Sequence, residues 1–167
     1  RIPCEHTAMN LVIIGRFPAD TEARIRAFFP PVWRVVFAGP DLAGPGLRDA
    51  EALIPEHLPI NAALLDRAPK MRMIQTGAGY DNVDLAECTR RGILVCSAAG
   101  VNAAAVAEHT MALILGWYKS IVYLDTFLKA HRHSRELRYS GGELCGKTVG
   151  IIGLGAIGQR GAALCQA

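Results

Sequence analysis

The amino-acid sequence predicts an α/β protein with a parallel sheet. Between residues 9 and 98, short runs of β-branched and aliphatic residues alternate with helical runs, which is typical of parallel βα units. A long apolar helical segment follows, and after it come a strand, a glycine-rich turn and a helix in succession. The sequence therefore predicts a flavodoxin-like parallel-sheet domain followed by the start of a Rossmann-type domain.

The strand candidates of the first domain are short aliphatic runs bounded by turn-forming residues. The segment 42–47 carries two glycines and one proline and is predicted to be a loop. The strands are predicted at residues 11–15, 34–37, 50–54, 71–76 and 94–97.

Helix candidates lie between these strands, and each has its own start and stop signals. They cover residues 20–29, capped by Asp20 and ended by Pro30; 61–67, capped by Asn61 and ended by Pro69; and 84–91, where Asp84 and Glu87 form a capping box and Gly92 follows the last turn.

The second half of the chain is predicted to be mainly helical. Residues 102–118 form a helix that is apolar on nearly every side, so we expect it to be buried between two bodies. A second helical run covers 121–130, a strand covers 148–152, and a further helix runs from Gln159 onward. We place the domain boundary near residues 98–100, with domains at 1–98 and 99–167.

The turn after the last predicted strand has the pattern G-x-G-x-x-G. Gly153 makes the tight turn, Gly155 lets the backbone touch a pyrophosphate, and Gly158 allows close packing of helix on strand. The phosphates then lie at the positive end of the following helix. The alternative is a plain βα turn. The acidic residue that would hold a ribose is expected about 20 residues further on, beyond Ala167, so the sequence does not distinguish NAD from NADP.

A second glycine loop, Thr-Gly-Ala-Gly-Tyr-Asp-Asn-Val-Asp at residues 76–84, follows the fourth predicted strand. Ligands of open parallel sheets bind outside the carboxyl ends of the strands, and successive N–H groups in such a turn can hold a carboxylate. Taken alone, these residues favour a structural turn in which Asp81, Asn82 and Asp84 serve as turn and cap residues.

Five ordered motifs resemble the D-isomer-specific 2-hydroxyacid dehydrogenase family over about residues 11–166. They lie at 76–84, 91–95 (Arg-Gly-Ile-Leu-Val), 100–102 (Gly-Val-Asn), 106–109 (Val-Ala-Glu-His) and 146–158, the last ending in Gly-Leu-Gly-Ala-Ile-Gly. The family includes phosphoglycerate and D-lactate dehydrogenases, glyoxylate and hydroxypyruvate reductases, and formate dehydrogenases.

The resemblance implies a role for particular residues. Ala78 and Gly79 match positions whose N–H groups hold the substrate carboxylate, and Asn102 matches a position near substrate and nicotinamide. The implied cofactor-binding residues are Val106, Gly153, Gly155, Ala156, Ile157 and Gly158.

The resemblance also implies an activity: hydride transfer between NAD or NADP and a small D-2-hydroxy acid or 2-keto acid, by a homodimer. The family's catalytic Arg, Glu and His would follow Gly158 by many tens of residues, so we expect them beyond Ala167 and expect this chain alone to be an inactive fragment. Two alternatives stay open. One is a formate dehydrogenase, and the other is a corepressor-type binding module that uses the dinucleotide to assemble.

Composition excludes several other classes. Lys and Arg total 18 against 15 Asp and Glu, too small an excess to predict nucleic-acid binding. The apolar stretch 103–118 is interrupted by Glu108 and His109, so no membrane span is predicted. The odd count of five cysteines without a C-x-x-C pair favours the cytoplasm. No cluster with metal-ligand spacing is present, and His131-x-His133 is expected to be an exposed pair.

Overall fold

The computed structural model describes residues 7–39, 46–131 and 141–166. The chain divides into two compact units, Arg1–Ala99 and Gly100–Ala167.

The first unit is a parallel sheet with helices between its strands. Its strands lie side by side in the order β2-β1-β3-β4-β5, and every neighbouring pair is parallel. This is the flavodoxin-like order, so the predicted fold class is confirmed. The elements are β1 (Asn10–Ile14), α1 (Ala19–Arg26), β2 (Arg34–Ala38), β3 (Ala52–Ile54), α2 (Ala62–Asp66), β4 (Met73–Thr76), α3 (Leu85–Arg90) and β5 (Leu94–Ser97), with a 3₁₀ turn at Leu47–Asp49.

The sheet buries side chains on both of its faces. Successive residues of β1 point to opposite sides, so Leu11 and Ile13 join one apolar cluster while Val12 and Ile14 join the other. The first cluster packs against Ile25 of α1, and the second contains residues of α2 and α3. Two-sided burial explains why the strands are apolar runs and show no alternation with polar residues.

Local capping signals fix the starts of two helices as predicted. The Asn61 side chain accepts a hydrogen bond from the Leu64 N–H at 3.1 Å, and Asp84 accepts from the Glu87 N–H at 2.9 Å. The other half of the predicted capping box does not form, because the Asp84 N–H donates to the Ile60 carbonyl and the Glu87 carboxylate bonds Arg90 and Arg91. Gly92, at φ +70°, follows the last turn of α3 in the left-handed conformation that favours glycine.

The predicted cap of α1 is wrong. Asp20 lies inside the first turn, and the N-cap is Pro18, whose φ of −58° presets the entry to the helix. Its carbonyl accepts the first helical bond, from the Glu22 N–H at 3.0 Å. Asp20 and Glu22 instead complement the positive end of the helix.

The second unit contains three helices, α4 (Ala103–Tyr118), α5 (Ile121–His131) and α6 (Ala156–Gln166). Residues 148–152, predicted to form a strand, adopt no strand within the described part of this unit. A strand needs a neighbour that completes its hydrogen bonds, and the described residues of the unit provide none. α6 begins at Ala156, before the predicted Gln159, because the Gln159 N–H already bonds the Gly155 carbonyl at 3.0 Å.

The long helix α4 packs against α6 and α5. Only Ala103 and Ala107 of α4 are buried, whereas Leu113 is 62% exposed and Trp117 84% exposed. The expected burial of α4 on every side is therefore wrong for this chain, because the described residues of its unit cover only part of its surface.

No single helix within the described ranges is long and apolar enough to cross a membrane. α4 and the first ten residues of α5 pass that test of length and composition only when taken together, as a pair bent by 56° at the break between them.

Candidate functional site

The glycine loop at residues 77–81 projects from the carboxyl end of β4, and all five of its residues are exposed. Its entry continues the sheet: the Ala98 N–H donates to the Gly77 carbonyl at 2.9 Å. The preceding Thr76 is 4% exposed, and its hydroxyl donates to the Cys96 carbonyl at 3.2 Å. The structure thus places Ala78 and Gly79 in an exposed loop that starts from a fixed strand end.

The exit of this loop is also fixed. The Val83 N–H donates to the Tyr80 carbonyl at 3.0 Å and closes a turn, and Val83 forms a parallel bridge with Ile60. A Cβ on Gly79 would lie 3.2 Å from an Asp81 carboxylate oxygen. The absence of a side chain at Gly79 therefore leaves room for the Asp81 carboxylate.

Ion pairs connect the helix after this loop to its neighbour. Glu87 of α3 accepts hydrogen bonds from Arg90 and Arg91 at 2.6–2.8 Å, and Arg91 also bonds Asp66 of α2 at 2.6 Å. The hydrogen bonds from Arg90 and then Arg91 lower the pKa of Glu87 from its ordinary value of 4.5 to about 2. This charge network connects α2 to α3, the helix that follows the loop.

The G-x-G-x-x-G loop at residues 153–158 is shaped by two of its glycines. Gly153 has φ +90°, in the left-handed region that favours glycine. A Cβ on Gly158 would collide with the Gly153 carbonyl oxygen and lie 3.1 Å from its carbonyl carbon. Only glycine at position 158 lets the start of α6 approach the loop backbone this closely.

The start of α6 is open to solvent. Ala156 and Ile157 are exposed, and apart from its two chain neighbours no atom lies within 4 Å of the Cβ position of Gly155. The first N–H groups of a helix have no partner within the helix and carry its positive partial charge. The residues present therefore fit a diphosphate, because the backbone at Gly155 is accessible and the helix start presents N–H donors to an anion.

The start of α4 lies beside the start of α6. A Cβ on Gly100, which has φ +79°, would lie 3.4 Å from the Ala156 Cβ. Asn102 precedes α4 and makes no capping hydrogen bond with its side chain, and Val106 is half-buried in the first turns. The second unit thus places the start of α4, with Asn102, near the glycine loop at 153–158. The predicted substrate residues Ala78 and Gly79 belong to the first unit.

A groove of about 380 Å³ separates α4 from the glycine-loop segment. Its walls are mainly apolar and include Thr110, Met111, Ile151 and Ile157. Residues 149–153 form one wall as irregular backbone, which follows from the missing strand at 148–152.

Other candidate residues are not assembled into a site. Glu108 and His109 are both exposed on α4, as neighbours on a helix surface that point in different directions. Among the described residues, no group of three or more His, Cys, Asp or Glu is placed to hold a metal ion. His133 lies outside the described residues, so the predicted His131 and His133 pair is not described.

A parallel sheet followed by a glycine loop at a helix start is the arrangement of nucleotide-dependent α/β enzymes. Residues 41–162 match the family described as D-isomer specific 2-hydroxyacid dehydrogenase, catalytic domain. The match covers more than half of the chain, and the chain belongs to this family.

Relatives in sequence include dehydrogenases and reductases. The chain is 44% identical over 101 residues to the D-3-phosphoglycerate dehydrogenase of Mycobacterium leprae, covering 60% of this chain and 19% of that protein. It is 39% identical over 107 residues to the glyoxylate reductase of Thermococcus litoralis, covering 60% of this chain and 32% of that protein. The chain therefore spans a third or less of these relatives.

Solved structures share the fold across most of the chain. The D-lactate dehydrogenase of Aquifex aeolicus, complexed with NAD and lactic acid, superposes with a TM-score of 0.81 at 27% identity and covers 94% of this chain. The NADPH-dependent glyoxylate/hydroxypyruvate reductase of Sinorhizobium meliloti, in complex with citrate, gives a TM-score of 0.75 at 25% identity and covers 93%. The matched part is 48% and 50% of those two chains.

Proposed function

We propose that this chain supplies the substrate-binding domain and the diphosphate-binding loop of an NAD(P)-dependent dehydrogenase acting on a small D-2-hydroxy acid or 2-keto acid. The observation that carries the proposal is the approach of Gly158 to the Gly153 carbonyl at the open start of α6. In this proposal residues 1–98 bind the acid, and residues 99–167 contribute to binding the dinucleotide.

The dinucleotide is proposed to bind through its diphosphate. The backbone at Gly155, Ala156, Ile157 and Gly158 presents N–H groups to the phosphate oxygens, and a charge-assisted hydrogen bond is roughly twice as strong as a neutral one. When bound, the nicotinamide donates or accepts the hydride. The support from relatives covers both NAD and NADP, so the proposal names the nicotinamide dinucleotides as a class.

The acid is proposed to bind through its carboxylate at the exposed loop 77–81. Ala78 and Gly79 present backbone N–H groups there, and such groups are donors whose position is set by the fold. Asn102 and Val106 are proposed to contact the substrate and the nicotinamide, respectively, from the start of α4. The active protein is proposed to be a homodimer.

Cofactor binding is tested by a pair of glycine variants in α6. In the protein that carries this sequence, Gly158→Ala is expected to weaken NADH or NADPH binding at least about tenfold, since the loop must shift away from the new Cβ. Gly161→Ala is the matched control, because beyond its own helix backbone no atom lies within 4 Å of the Cβ position of Gly161. Calorimetric titration of both variants and the wild type gives the affinities, and circular dichroism confirms that α6 is retained.

Turnover is tested with glyoxylate, hydroxypyruvate, pyruvate and formate in the presence of either nicotinamide dinucleotide. Reduction of a 2-keto acid supports the proposal. Oxidation of formate without activity on the keto acids selects the formate dehydrogenase alternative. Dinucleotide-dependent dimerisation without any turnover selects the corepressor-type module, and a wild type that binds neither NADH nor NADPH contradicts the proposal.

A further inference from the structure

The loop proposed to hold the substrate carboxylate is anchored at its exit by a segment distant in sequence. Residues 58–60 precede α2, and Asn82 directly follows the exposed stretch 77–81. The Asn82 side-chain amide donates to the Leu58 carbonyl at 2.7 Å, across 24 residues of sequence. We infer that Asn82 is a positioning residue for this loop, an inference that rests on the proposed function of the loop.

The main chain on both sides of Asn82 joins the same segment. The Ile60 N–H donates to the Asn82 carbonyl at 2.8 Å, and the Asp84 N–H donates to the Ile60 carbonyl at 2.9 Å. These bonds form the parallel bridge between Ile60 and Val83. Asn82 therefore holds segment 58–60 through both its backbone and its side chain.

The anchor is rigid because its apolar residues lie in the core. Ile60 is 1% exposed and Val83 is 8% exposed, and both belong to the apolar cluster beneath α2 and α3. Residues of a close-packed core move little, so backbone attached to them is held in a fixed position. Segment 58–60 therefore offers Asn82 a fixed acceptor instead of a mobile loop carbonyl.

The backbone amides proposed to bind the carboxylate lie between two such anchors. At the entry, the buried Thr76 hydroxyl holds the Cys96 carbonyl, and at the exit Asn82 holds Leu58. Ala78 and Gly79, between them, are exposed. The direction of their N–H groups depends on the loop entry at Thr76 and the loop exit at Asn82. Of these two anchors, Asn82 is the one that lies outside the sheet. Because backbone donors bind an anion only when they point at it, loosening this end weakens substrate binding more than dinucleotide binding.

The test compares Asn82→Asp with wild type in the enzyme that carries this sequence. Aspartate keeps the size of the side chain, but it removes the donor and places a carboxylate oxygen against the Leu58 carbonyl. The expected result is a KM for glyoxylate or hydroxypyruvate raised roughly fivefold, with the KM for NADH unchanged and kcat changed by less than about twofold.

Asn61→Ala is the matched control for lost stability. It removes the side-chain cap of α2 one residue after Ile60, where the Asn61 side chain accepts from the Leu64 N–H. It is expected to leave the KM for the keto acid unchanged. An equal rise in KM for both variants would overturn the inference, because stability alone would then explain the effect.

A second readout needs no turnover. The N–H groups of Ile60, Val83 and Asp84 donate the hydrogen bonds that close the exit of the loop. In Asn82→Asp, amide hydrogen exchange at these three residues is expected to be about tenfold faster than in wild type, while exchange in β4 stays unchanged. Unchanged exchange at Ile60, Val83 and Asp84 overturns the inference even if the enzyme is active. A wild type that reduces no 2-keto acid contradicts the proposed function, and the exchange measurement still decides whether Asn82 orders the loop.

Discussion

The sheet unit and the helical unit both contain apolar segments but bury them to different extents. Leu53 in β3 and Ile74 in β4 are completely buried, whereas Leu113 and Trp117 of α4 are largely exposed. In the first unit, each strand has neighbours on both sides or a helix over its face. An apolar pattern thus predicts that a segment packs against another surface, but it does not indicate whether the same unit provides that surface.

Two leucine truncations measure this difference directly and give the largest expected effect. Leu53→Ala removes buried methyl groups and leaves a cavity, so it should lower the free energy of unfolding by about 3 kcal/mol. Leu113→Ala removes a side chain that is 62% exposed, and should change it by less than about 0.5 kcal/mol. Urea unfolding monitored by circular dichroism gives both values.

A large loss in Leu113→Ala would break the comparison. It would mean that α4 is covered in solution, as by a second copy of the chain, and the loss should then grow smaller as the protein is diluted. Sedimentation at the same concentrations separates this outcome from a local packing effect.

A smaller effect on stability is expected from the residues that precede α2 and α4, Asn61 and Asn102. Asn61 accepts a hydrogen bond from Leu64, so Asn61→Ala should cost about 1 kcal/mol of stability. Asn102 stands at the same position of α4 but makes no such bond with its side chain, so Asn102→Ala should leave stability nearly unchanged. If Asn102 instead serves the substrate, as proposed, its loss should raise the KM for a 2-keto acid. Thermal unfolding and initial-rate kinetics on the two variants decide between the roles.

Equal destabilisation by Asn61→Ala and Asn102→Ala would contradict this division. It would show that Asn102 caps α4 in solution. A raised KM in Asn102→Ala would then have a structural cause.

These examples also show which features were predictable from the sequence. The caps at Asn61 and Asp84 and the glycine after α3 are local signals, read within a few residues, and they were confirmed. The strand predicted at 148–152 and the burial of α4 depend on distant partners, and there the prediction was wrong. Helix caps can be predicted from a few neighbouring residues, whereas strand pairing and burial depend on segments that are distant in the sequence.

The same limit applies to the candidate site. Both glycine loops were recognised because they need residues without side chains at fixed spacing, and the roles assigned to Ala78, Gly79 and Asn102 stay predictions. Asn82 was interpreted only as a turn residue. Its partner is the backbone carbonyl of Leu58, a group that every residue carries, so no sequence signal marks the pair.

The smallest expected effect concerns charge in the sheet unit. The pKa of Glu87 is lowered from 4.5 to about 2 by its hydrogen bonds to Arg90 and Arg91. A carboxyl group with a depressed pKa in the folded state stabilises the fold above its unfolded pKa and loses that contribution as it becomes protonated. The stability of wild type should therefore fall as the pH is lowered from about 4.5 to about 2.

Glu87→Gln should show a shallower fall in stability over that range, in urea midpoints measured at a series of pH values. The variant with both arginines changed, Arg90→Gln with Arg91→Gln, should be shallower too, because Glu87 then titrates near its ordinary value in both states. A slope that persists in both variants would assign the acid sensitivity of the fold to other carboxylates, and the ion pairs of Glu87 would then contribute nothing measurable to stability.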